Sequence, residues 1–260
     1  MGIVNCTPDS FSDGGRLPDA EAAVAHGRRL AAEGAAWLDV GGESTRPGAA
    51  EVPVAEELDR VLPVVAALAA EGHAVSVDTR KAPVAEAALA AGARMVNDVS
   101  AGRHDPGILA VTAAAGALYC AMHSRATPAT MQAAPAYDDV VAEVRAELAV
   151  ALDAARAAGI ADDRLLADPG FGFAKDDDHN LALLARLDAL HDLGLPLLVG
   201  LSRKATLGRV TGRAAPDDRL AASLAAVALA VDRGAAVVRV HDVAASRDAL
   251  LVADAVRRAR

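Results

Sequence analysis

Residues 73–98 read HAVSVDTRKAPVAEAALAAGARMVND and contain the signals of one complete strand–helix–strand unit. The apolar runs HAVSV (73–77) and ARMVN (93–97) are typical of strands that are buried on both faces. The alanine-rich segment between them favours a helix, and Gly92 is a typical helix-terminating residue just before the second strand. Strands joined in this way lie parallel in one sheet, so the stretch predicts a parallel α/β fold.

The same unit recurs along the whole chain, with helical segments such as 19–35 and 54–72 between further apolar runs. Eight strand–helix units in about 250 residues are what a (β/α)8 TIM barrel requires. An open doubly wound sheet is the alternative, but the chain has no GxGxxG after its first strand and no Gly-Lys-Ser/Thr phosphate loop. We therefore predict an α/β TIM barrel as a single domain over residues 1–260. The predicted strands are MGIV, AWLDV, HAVSV, ARMVN, ALYCAM, RLLAD, PLLVGL and AVVRV, and the predicted helix-terminating glycines are Gly34, Gly72, Gly92, Gly116, Gly159, Gly194 and Gly234.

The first predicted strand contains Met1 itself. A barrel of this kind usually has a segment before that strand which covers its lower end. We therefore expect that an N-terminal segment before strand one is missing from this sequence.

The net charge, the cysteine count and the lack of long apolar runs limit the kinds of molecule that this protein is expected to bind. The 35 acidic residues outnumber the 26 basic ones and give a net charge of −9, which argues against nucleic acid or an anionic membrane as a partner. The two cysteines form no disulfide framework or zinc motif, and we interpret them as small buried side chains in a reducing cytoplasm. No signal peptide and no transmembrane run is recognisable. The partners we expect are small molecules, since a few Arg and Lys side chains suffice for a local anion pocket.

Polar groups stand at the end of every predicted strand. The carboxyl ends of the strands of a TIM barrel meet at one face, and the loops that follow them form the site. A single aspartate at such a position often only caps the next helix, but eight polar strand ends in one chain are hard to explain by capping alone. The strand ends are Asn5, DVGGESTRPG (39–48), VDT (77–79), ND (97–98), MHSR (122–125), DPGFGFAK (168–175), GLSRK (200–204) and RVHD (239–242).

The first set of strand ends consists of short carboxylates and an amide, Asp78, Asn97 and Asp168. Such groups suit a flat heterocycle with several N–H donors, because a carboxylate accepts two parallel hydrogen bonds from an amino group and a ring N–H. Helix capping, or a salt bridge to a neighbouring Arg or Lys, is the alternative for each of them.

The second set binds anions. Arg239 and His241 alternate on one strand and therefore point to the same face, and with the segments Ser44–Arg46 and Ser202–Lys204 they suit a phosphate or diphosphate. Asn5 suits Mg²⁺, which takes few protein ligands and completes its shell with water and phosphate. The alternatives are a solvated surface charge for Arg203 and a structural role for His241.

The remaining polar residues carry weaker signals. His123 and Arg125 fit either a site or the scaffold. His179 and the acidic run at 176–178 have the composition of a helix start, and we interpret them as structural.

Seven motifs, in order over residues 2 to about 245, resemble the dihydropteroate synthase family, the pterin-binding family of folate biosynthesis. No single motif is specific, but the ordered set at the strand ends is. The motifs are NCTPDSFSDGG, GGESTRPGA, VDTRK, VNDVSAG, DPGFGFAK with HNLALLARL, GLSRKATLG and VRVHDV.

The resemblance implies a TIM barrel, usually a homodimer, that condenses a dihydropterin carrying a hydroxymethyl diphosphate with 4-aminobenzoate and releases diphosphate. It also implies electrostatic stabilisation of a cationic pterin methylene and of the departing diphosphate. Motif by motif, it assigns the pterin to Asp78, Asn97, Asp168 and Lys204; the diphosphate to Asn5, Thr45, Arg46, Arg239 and His241, with Mg²⁺ at Asn5; and the 4-aminobenzoate to Phe11, Pro47, Phe173 and Ser202. Asp13, Lys204 and Arg239 are the catalytic residues that it implies.

Two departures from the family's usual motifs bear on the second substrate. GFAK replaces the commoner GFGK, and SRKAT replaces SRKSF, which removes an aromatic residue beside the expected aminobenzoate site and bears on the sulfonamide sensitivity expected of the family. The alternatives to the synthase are a pterin-binding barrel that has lost turnover and a methyl-tetrahydrofolate:corrinoid methyltransferase. The second would not need the diphosphate-binding set.

Overall fold

The computed structural model describes residues 1–7, 20–44, 48–125 and 136–260, which form eight short parallel strands surrounded by helices. Strands β1 to β6 pair in chain order in one sheet, and β7 pairs with β8. The strands are β1 (Gly2–Asn5), β2 (Leu38–Gly41), β3 (Val75–Asp78), β4 (Met95–Asp98), β5 (Leu118–Met122), β6 (Leu165–Asp168), β7 (Leu198–Val199) and β8 (Val237–Val238).

Two single bridges close these sheets into a barrel. Ala167 bridges to Leu197 beside β7, and Gly2 bridges to Val240 just beyond β8, both in parallel orientation. The last two strands are shorter than the runs PLLVGL and AVVRV predict, because only two residue pairs between them form a regular ladder. The predicted TIM-barrel fold is nevertheless confirmed.

Helices cover the outside of the barrel. Two of the predicted helical segments, 19–35 and 54–72, contain α1 and α2, whereas the short helix α7 directly after Lys204 was not predicted. The helices are α1 (Ala20–Ala32), α2 (Val54–Ala70), α3 (Ala82–Ala90), α4 (Gly107–Ala114), α5 (Val140–Ala157), α6 (Asp177–Ala185), α7 (Ala205–Thr211), α8 (Leu220–Asp232) and α9 (Val243–Arg258). In the part of the chain that the structure describes, no helix combines the length and the apolar character needed to cross a membrane.

Glycine ends the segments that lead into the next strand. All seven glycines predicted to terminate helices have positive φ angles, from 60° at Gly116 to 109° at Gly92. A side chain with a Cβ atom is disfavoured in this region, so glycine is the residue that allows each helix to stop and the chain to turn back into the barrel.

Two apolar layers support the polar end of the barrel. The larger layer lies between the strands and the helices and includes Val4, Val40, Val77 and Val96. A second cluster, which includes Met95, Cys120, Leu166 and Leu198, lies on the other faces of the strands and fills the barrel interior. Side chains alternate along a strand, so residues two positions after Met95 and Leu166 also face the interior, nearer its carboxyl end. These residues are Asn97 and Asp168.

Candidate active site

The register of the first four strands places three predicted site residues side by side. Asn5 pairs with Gly41, Gly41 with Asp78, and Asp78 with Asn97. Asp168 is the last residue of β6, and the Arg239 backbone N–H donates to the Val199 carbonyl at 2.9 Å, which places Arg239 at the end of β8. Of the predicted pterin and diphosphate residues, Asn5, Asp78, Asn97, Asp168 and Arg239 therefore meet at one mouth of the barrel.

Arg239 connects opposite parts of this mouth. Its Nε donates to Asp39 Oδ2 at 2.5 Å, and its Nη2 donates to Asp78 Oδ2 at 2.7 Å, across 200 and 161 sequence positions. Burial acts to lower the pKa of the largely buried guanidinium, but the negative charges of Asp39 and Asp78 outweigh it and raise this pKa. Arg239 therefore stays charged, and it was predicted to bind diphosphate, while its partner Asp78 was predicted to bind the pterin. The two predicted subsites share an ion pair.

Asp39 belongs to this centre, but the sequence reasoning, which placed it at the start of the strand end 39–48, gave it no role. Its side chain is fully buried, and Oδ2 also accepts a hydrogen bond from Asn97 Nδ2 at 3.0 Å. Oδ1 has no hydrogen-bond partner among the described residues. One signal was available: Asp39 is the only charged residue in the otherwise apolar run AWLDV, where a charge is costly unless it is paired.

Asp168 and Lys204 form the other side of the mouth. Asp168 Oδ1 accepts the Gly170 backbone N–H at 2.7 Å, whereas its Oδ2 accepts no hydrogen bond from the described residues. Burial raises the pKa of Asp168 to about 6 and lowers that of Lys204 to about 8, and each group opposes the other's shift by attraction. Lys204 Nζ lies 4.5 Å from the centre of the Phe173 ring, so the predicted pterin and aminobenzoate residues adjoin here.

Ser202 and His241 are also neighbours. The Ser202 hydroxyl oxygen accepts the His241 backbone N–H at 3.2 Å and lies 3.0 Å from His241 Nδ1. Burial lowers the pKa of His241 to about 4, so the ring is neutral at pH 7. With the hydroxyl donating to Nδ1, the ring proton is on Nε2, and His241 can serve as a neutral hydrogen-bond donor to an anion.

Arg203 does not point into the mouth, contrary to its place in the predicted anion-binding set. Its guanidinium donates to Asp242 at 2.7 and 3.0 Å and also pairs with Asp217. These carboxylates lie beside the starts of α9 and α8, so the ion pairs fasten the loop after β7 to the outer helices. Of the SRK segment, Ser202 and Lys204 remain at the site.

The segment between β2 and α2 is held at both ends by buried ion pairs. Glu43 accepts the Val52 backbone N–H at 2.8 Å, Arg80 Nε at 2.8 Å and Lys81 Nζ at 2.6 Å. Lys81 also donates to the Val52 carbonyl and to Glu57. Five of the predicted residues, Phe11, Asp13, Thr45, Arg46 and Pro47, lie outside the described residues, and their roles stay predictions.

The interpretation of His179 as structural is confirmed. Asp176 accepts the His179 backbone N–H at 2.8 Å, and the His179 ring accepts the Asp176 backbone N–H at 3.3 Å, so the two residues cap α6. His123 belongs to a buried network beside the site that also includes Glu147 and Lys175.

Gly170 fixes the loop that follows Asp168. A Cβ atom at this position would lie 1.9 Å from the His123 carbonyl oxygen, and φ is +68°. We expect Gly170→Ala to lower the free energy of unfolding by about 3 kcal/mol or more, because both the backbone conformation and the contact are unfavourable. Urea denaturation measures this change. The control is Gly194→Ala, where φ is +70° but no atom lies within 4 Å; its cost should be about 1 kcal/mol. Equal losses in the two variants would contradict the expectation.

The two carboxylates predicted to bind the pterin set an expected pH dependence. Burial raises the pKa of Asp78 to about 7 and that of Asp168 to about 6. Only the ionised forms accept hydrogen bonds at both oxygens, so pterin affinity should fall as the pH decreases from 8 to 5. At one pH unit below its pKa, a carboxyl group is about nine-tenths protonated. Calorimetric titration with pterin itself, which carries no phosphate, measures the effect, and constant affinity over this range would contradict the assignment.

Comparison with known proteins shows the family to which this chain is similar. The family model described as pterin binding enzyme matches residues 1–241. The dihydropteroate synthase of Mycobacterium leprae is 52% identical, over 98% of this chain and 92% of its own length. Among solved structures, Xanthomonas albilineans dihydropteroate synthase with 4-aminobenzoic acid has a TM-score of 0.93 at 55% identity, over 99% of this chain and 92% of that chain. The same enzyme in complex with 7,8-dihydropteroate has a TM-score of 0.89 at 53% identity, over the same shares of the two chains.

The full-length match and the barrel mouth thus lead to one assignment. The chain belongs to the pterin binding enzymes, within the dihydropteroate synthase family.

Proposed function

We propose that this chain catalyses the condensation of (7,8-dihydropterin-6-yl)methyl diphosphate with 4-aminobenzoate, which yields 7,8-dihydropteroate and diphosphate. The observation that carries the proposal is the joining of two subsites at one mouth: Asp78 and Asn97, suited to a pterin, are linked through Asp39 and Arg239 to a cationic centre suited to diphosphate. Relatives named dihydropteroate synthase, which match this chain over nearly its full length, support the proposal.

The pterin subsite is formed by Asp78, Asn97, Asp168 and Lys204. Asp168 Oδ2, which is free of hydrogen bonds to the described residues, is suited to accept N–H donors from the amino-pyrimidine edge of the substrate. Lys204 donates a hydrogen bond to a carbonyl or ring nitrogen of the substrate. Its positive charge also attracts the negative charges of Asp168 and Asp78. Because these groups are buried, their hydrogen bonds to the substrate are strong and the penalty for a wrong partner is large.

The diphosphate subsite uses Arg239 and His241. Two of the three nitrogens of the Arg239 guanidinium bond to Asp39 and Asp78, and Nη1 donates to no acceptor among the described residues. We assign Nη1 and His241 Nε2 to the diphosphate oxygens, and Thr45 and Arg46 to the same group on the basis of the motif. Preorganised donors of this kind stabilise the charge that develops as the C–O bond breaks.

The reaction balances without a dedicated base. The bond between the pterin methylene carbon and the diphosphate oxygen breaks, both electrons leave with diphosphate, and the arylamine nitrogen forms the new C–N bond and then loses a proton to solvent. Asp13 and the carboxylates of the pterin subsite stabilise the positive charge on the pterin, while Arg239 and His241 stabilise the leaving group. Phe11, Pro47, Phe173 and Ser202 hold the 4-aminobenzoate.

Asn5 is suited to one ligand position of Mg²⁺. Its amide oxygen is a hard donor at the level of Asp78 in the sheet, and no cluster of three or more His, Cys, Asp or Glu side chains within the described residues provides a protein-only cage. Mg²⁺ prefers such a sparse protein ligand set, completed by water and phosphate. When bound, the ion supplies charge neutralisation for the diphosphate. The neighbouring Cys6 does not compete, because burial raises the pKa of its thiol to about 12.

Chelation tests the metal assignment. We expect EDTA to reduce turnover, Mg²⁺ to restore it, and Asn5→Ala to raise the Mg²⁺ concentration needed for half-maximal rate by about tenfold. Pterin binding measured by calorimetry should change less than twofold in this variant, since Asn5 is assigned to the diphosphate side. Full turnover in EDTA would remove Mg²⁺ from the proposal.

An assay of diphosphate release tests the proposed reaction. Release should require both the pterin diphosphate and 4-aminobenzoate, and dihydropteroate should form in equal amount. Release that does not depend on the amine would indicate a different reaction, and pterin binding without turnover would indicate a non-catalytic pterin-binding protein.

We also propose that the enzyme is a cytoplasmic homodimer. Both cysteines are buried and free, which fits a reducing compartment. Leu229 on α8 and Leu251, Val252 and Val256 on α9 are large apolar side chains exposed on two packed helices, and a second copy of the chain would cover them. Light scattering of the purified protein should give twice the chain mass of 26.3 kDa.

A further inference from the structure

Lys175 is a buried cation beside the pterin subsite that the proposed reaction does not use. Its side chain is only 2% exposed, and Nζ donates to His123 Nδ1 at 2.8 Å and to the carbonyls of Gly170 and Phe173 at 3.0 Å each. No carboxylate among the described residues bonds to it directly. A buried ammonium without a paired carboxylate is costly, and burial indeed lowers its pKa to about 7. A buried charge that is energetically unfavourable for folding indicates a functional role for Lys175.

The bond to Lys175 fixes the protonation of His123. Nδ1 accepts from the ammonium, so the ring proton is on Nε2, which donates to Glu147 Oε2 at 2.9 Å. Burial and the positive charge of Lys175 lower the pKa of His123 to about 3, which keeps the ring neutral. Glu147 lies on α5, partly exposed, and Arg125 holds its other oxygen. The three side chains Lys175, His123 and Glu147, here called the lysine relay, connect the loop after β6 to the outer helix α5.

The carbonyls that Lys175 holds belong to the loop that shapes the pterin subsite. The Gly170 backbone N–H donates to Asp168 Oδ1, which orients this carboxylate. Phe173 lies under Lys204 Nζ, and Gly172 is so close to the Lys204 side chain that a Cβ atom there would lie 3.3 Å from its Cδ. Gly170 and Phe173 therefore connect Lys175 to both Asp168 and Lys204.

We propose that Lys175 is a positioning residue for pterin recognition, and that His123 and Glu147 hold its ammonium in place so that Asp168 and Phe173 keep their geometry against Lys204. This inference rests on the proposed function, because it assumes that the Asp168 and Lys204 subsite takes the pterin. Lys175 acts through the loop backbone and does not touch the substrate.

Lys175→Met removes the charge and the three hydrogen bonds while keeping most of the volume. We expect its affinity for pterin, measured by calorimetry, to be at least tenfold weaker, with a matching rise in KM for the pterin diphosphate. The kcat should change less than threefold, because Asp168 keeps its charge in this variant, and the orientation that it loses serves the bound substrate and the transition state alike. A tenfold fall in kcat with an unchanged KM and an unchanged pterin affinity would overturn the proposal.

Glu147→Gln tests the relay at its partly exposed end. The matched control is Glu143→Gln, one turn earlier on α5: both carboxylates pair with Arg125 at 2.5 Å, but Glu143 makes no bond to His123. We expect Glu147→Gln to weaken pterin binding three- to tenfold and Glu143→Gln to leave it within twofold. Equal effects, or none in Glu147→Gln, would overturn the proposal even if Lys175→Met does not fold.

Nitrogen-15 NMR of the His123 ring provides a second readout. The wild type should show a protonated Nε2 and an unprotonated Nδ1, and the ring should gain no second proton above pH 5; Lys175→Met should lose this fixed state. A doubly protonated His123 ring in the wild type at pH 7 would overturn the relay.

The proposed reaction and the lysine relay can fail separately. If the wild type binds pterin but makes no dihydropteroate, the proposed reaction fails while the relay can still be tested by binding. If the wild type makes dihydropteroate and the variants bind pterin as tightly as the wild type does, the lysine relay is wrong and the proposed reaction stands.

Discussion

Replacing Arg239 with methionine is expected to lower kcat by about 10³-fold or more, the range found when a preorganised donor to a developing negative charge is removed. Arg239 is held by Asp39 and Asp78, so its guanidinium is fixed before the substrate arrives and needs no reorganisation as diphosphate leaves. Steady-state diphosphate release at saturating concentrations of both substrates measures the change.

Loss of this guanidinium also affects stability. The side chain of Asp39 is fully buried and that of Asp78 is 11% exposed, and removing their shared cation leaves two uncompensated carboxylates, at a cost of about 3–5 kcal/mol.

A double variant separates the two effects. Asp39→Asn combined with Arg239→Met removes one of the stranded charges, so it should recover part of the stability without recovering kcat. Arg209→Met serves as the control, because Arg209 is also paired with an aspartate, Asp177, but lies on the exposed helix α7; its kcat should stay within twofold of wild type. Near-normal turnover in the folded double variant would contradict the assignment of Arg239 to the diphosphate.

Asp168→Asn is expected to reduce kcat/KM for the pterin diphosphate by about 10³-fold, since a site that pairs with substrate N–H groups penalises a mismatched partner heavily. Asn keeps an oxygen for the Gly170 N–H, so the loop contact survives. The second position becomes an NH₂ donor that faces the donors of the pterin edge, so an attraction becomes a repulsion. The loss should appear in KM and in the calorimetric affinity for pterin, and also in kcat, because the Asp168 carboxylate is one of the groups proposed to stabilise the cationic pterin.

Asp98→Asn is the matched control. Asp98 is also the last residue of a barrel strand, β4, but its carboxylate accepts from Tyr119 Oη, from the backbone N–H and hydroxyl of Ser100, and from the Gly102 backbone N–H, outside the pterin subsite. We expect this variant to lose thermal stability while its pterin affinity stays within threefold. If Asp168→Asn bound pterin as well as wild type does, Asp168 would not belong to the pterin subsite.

The fold was predictable because its signals are local. Apolar runs of strand length, alanine-rich helical segments and the glycine before each strand are short-range patterns, and the structure confirms the eight strands and the positive φ angle at all seven glycines. The strand ends were predictable for the same reason, since a polar residue that follows an apolar run marks the mouth of a parallel barrel. That is why Asp78, Asn97, Asp168 and Arg239 could be named from the sequence.

The partners of these residues were not predictable. Asp39 is the first residue of the strand end 39–48, but no local pattern indicates that it bonds to Arg239 and Asn97. Arg203 follows a strand as Arg239 does, yet it turns outward to Asp242 and Asp217.

The sequence by itself thus determined the order of strands and helices, the parallel sheet and the positions that face the mouth, because each depends on residues a few places apart. Only the tertiary structure decided which charges touch. The pairs Arg239–Asp39 and Arg239–Asp78 span 200 and 161 positions and exist only because the barrel closes, through the bridge from Gly2 to Val240 and the register of the strands between them. The energy of a buried charge depends on that closure, since its partner and its distance from water are set by the barrel and not by neighbours in the chain.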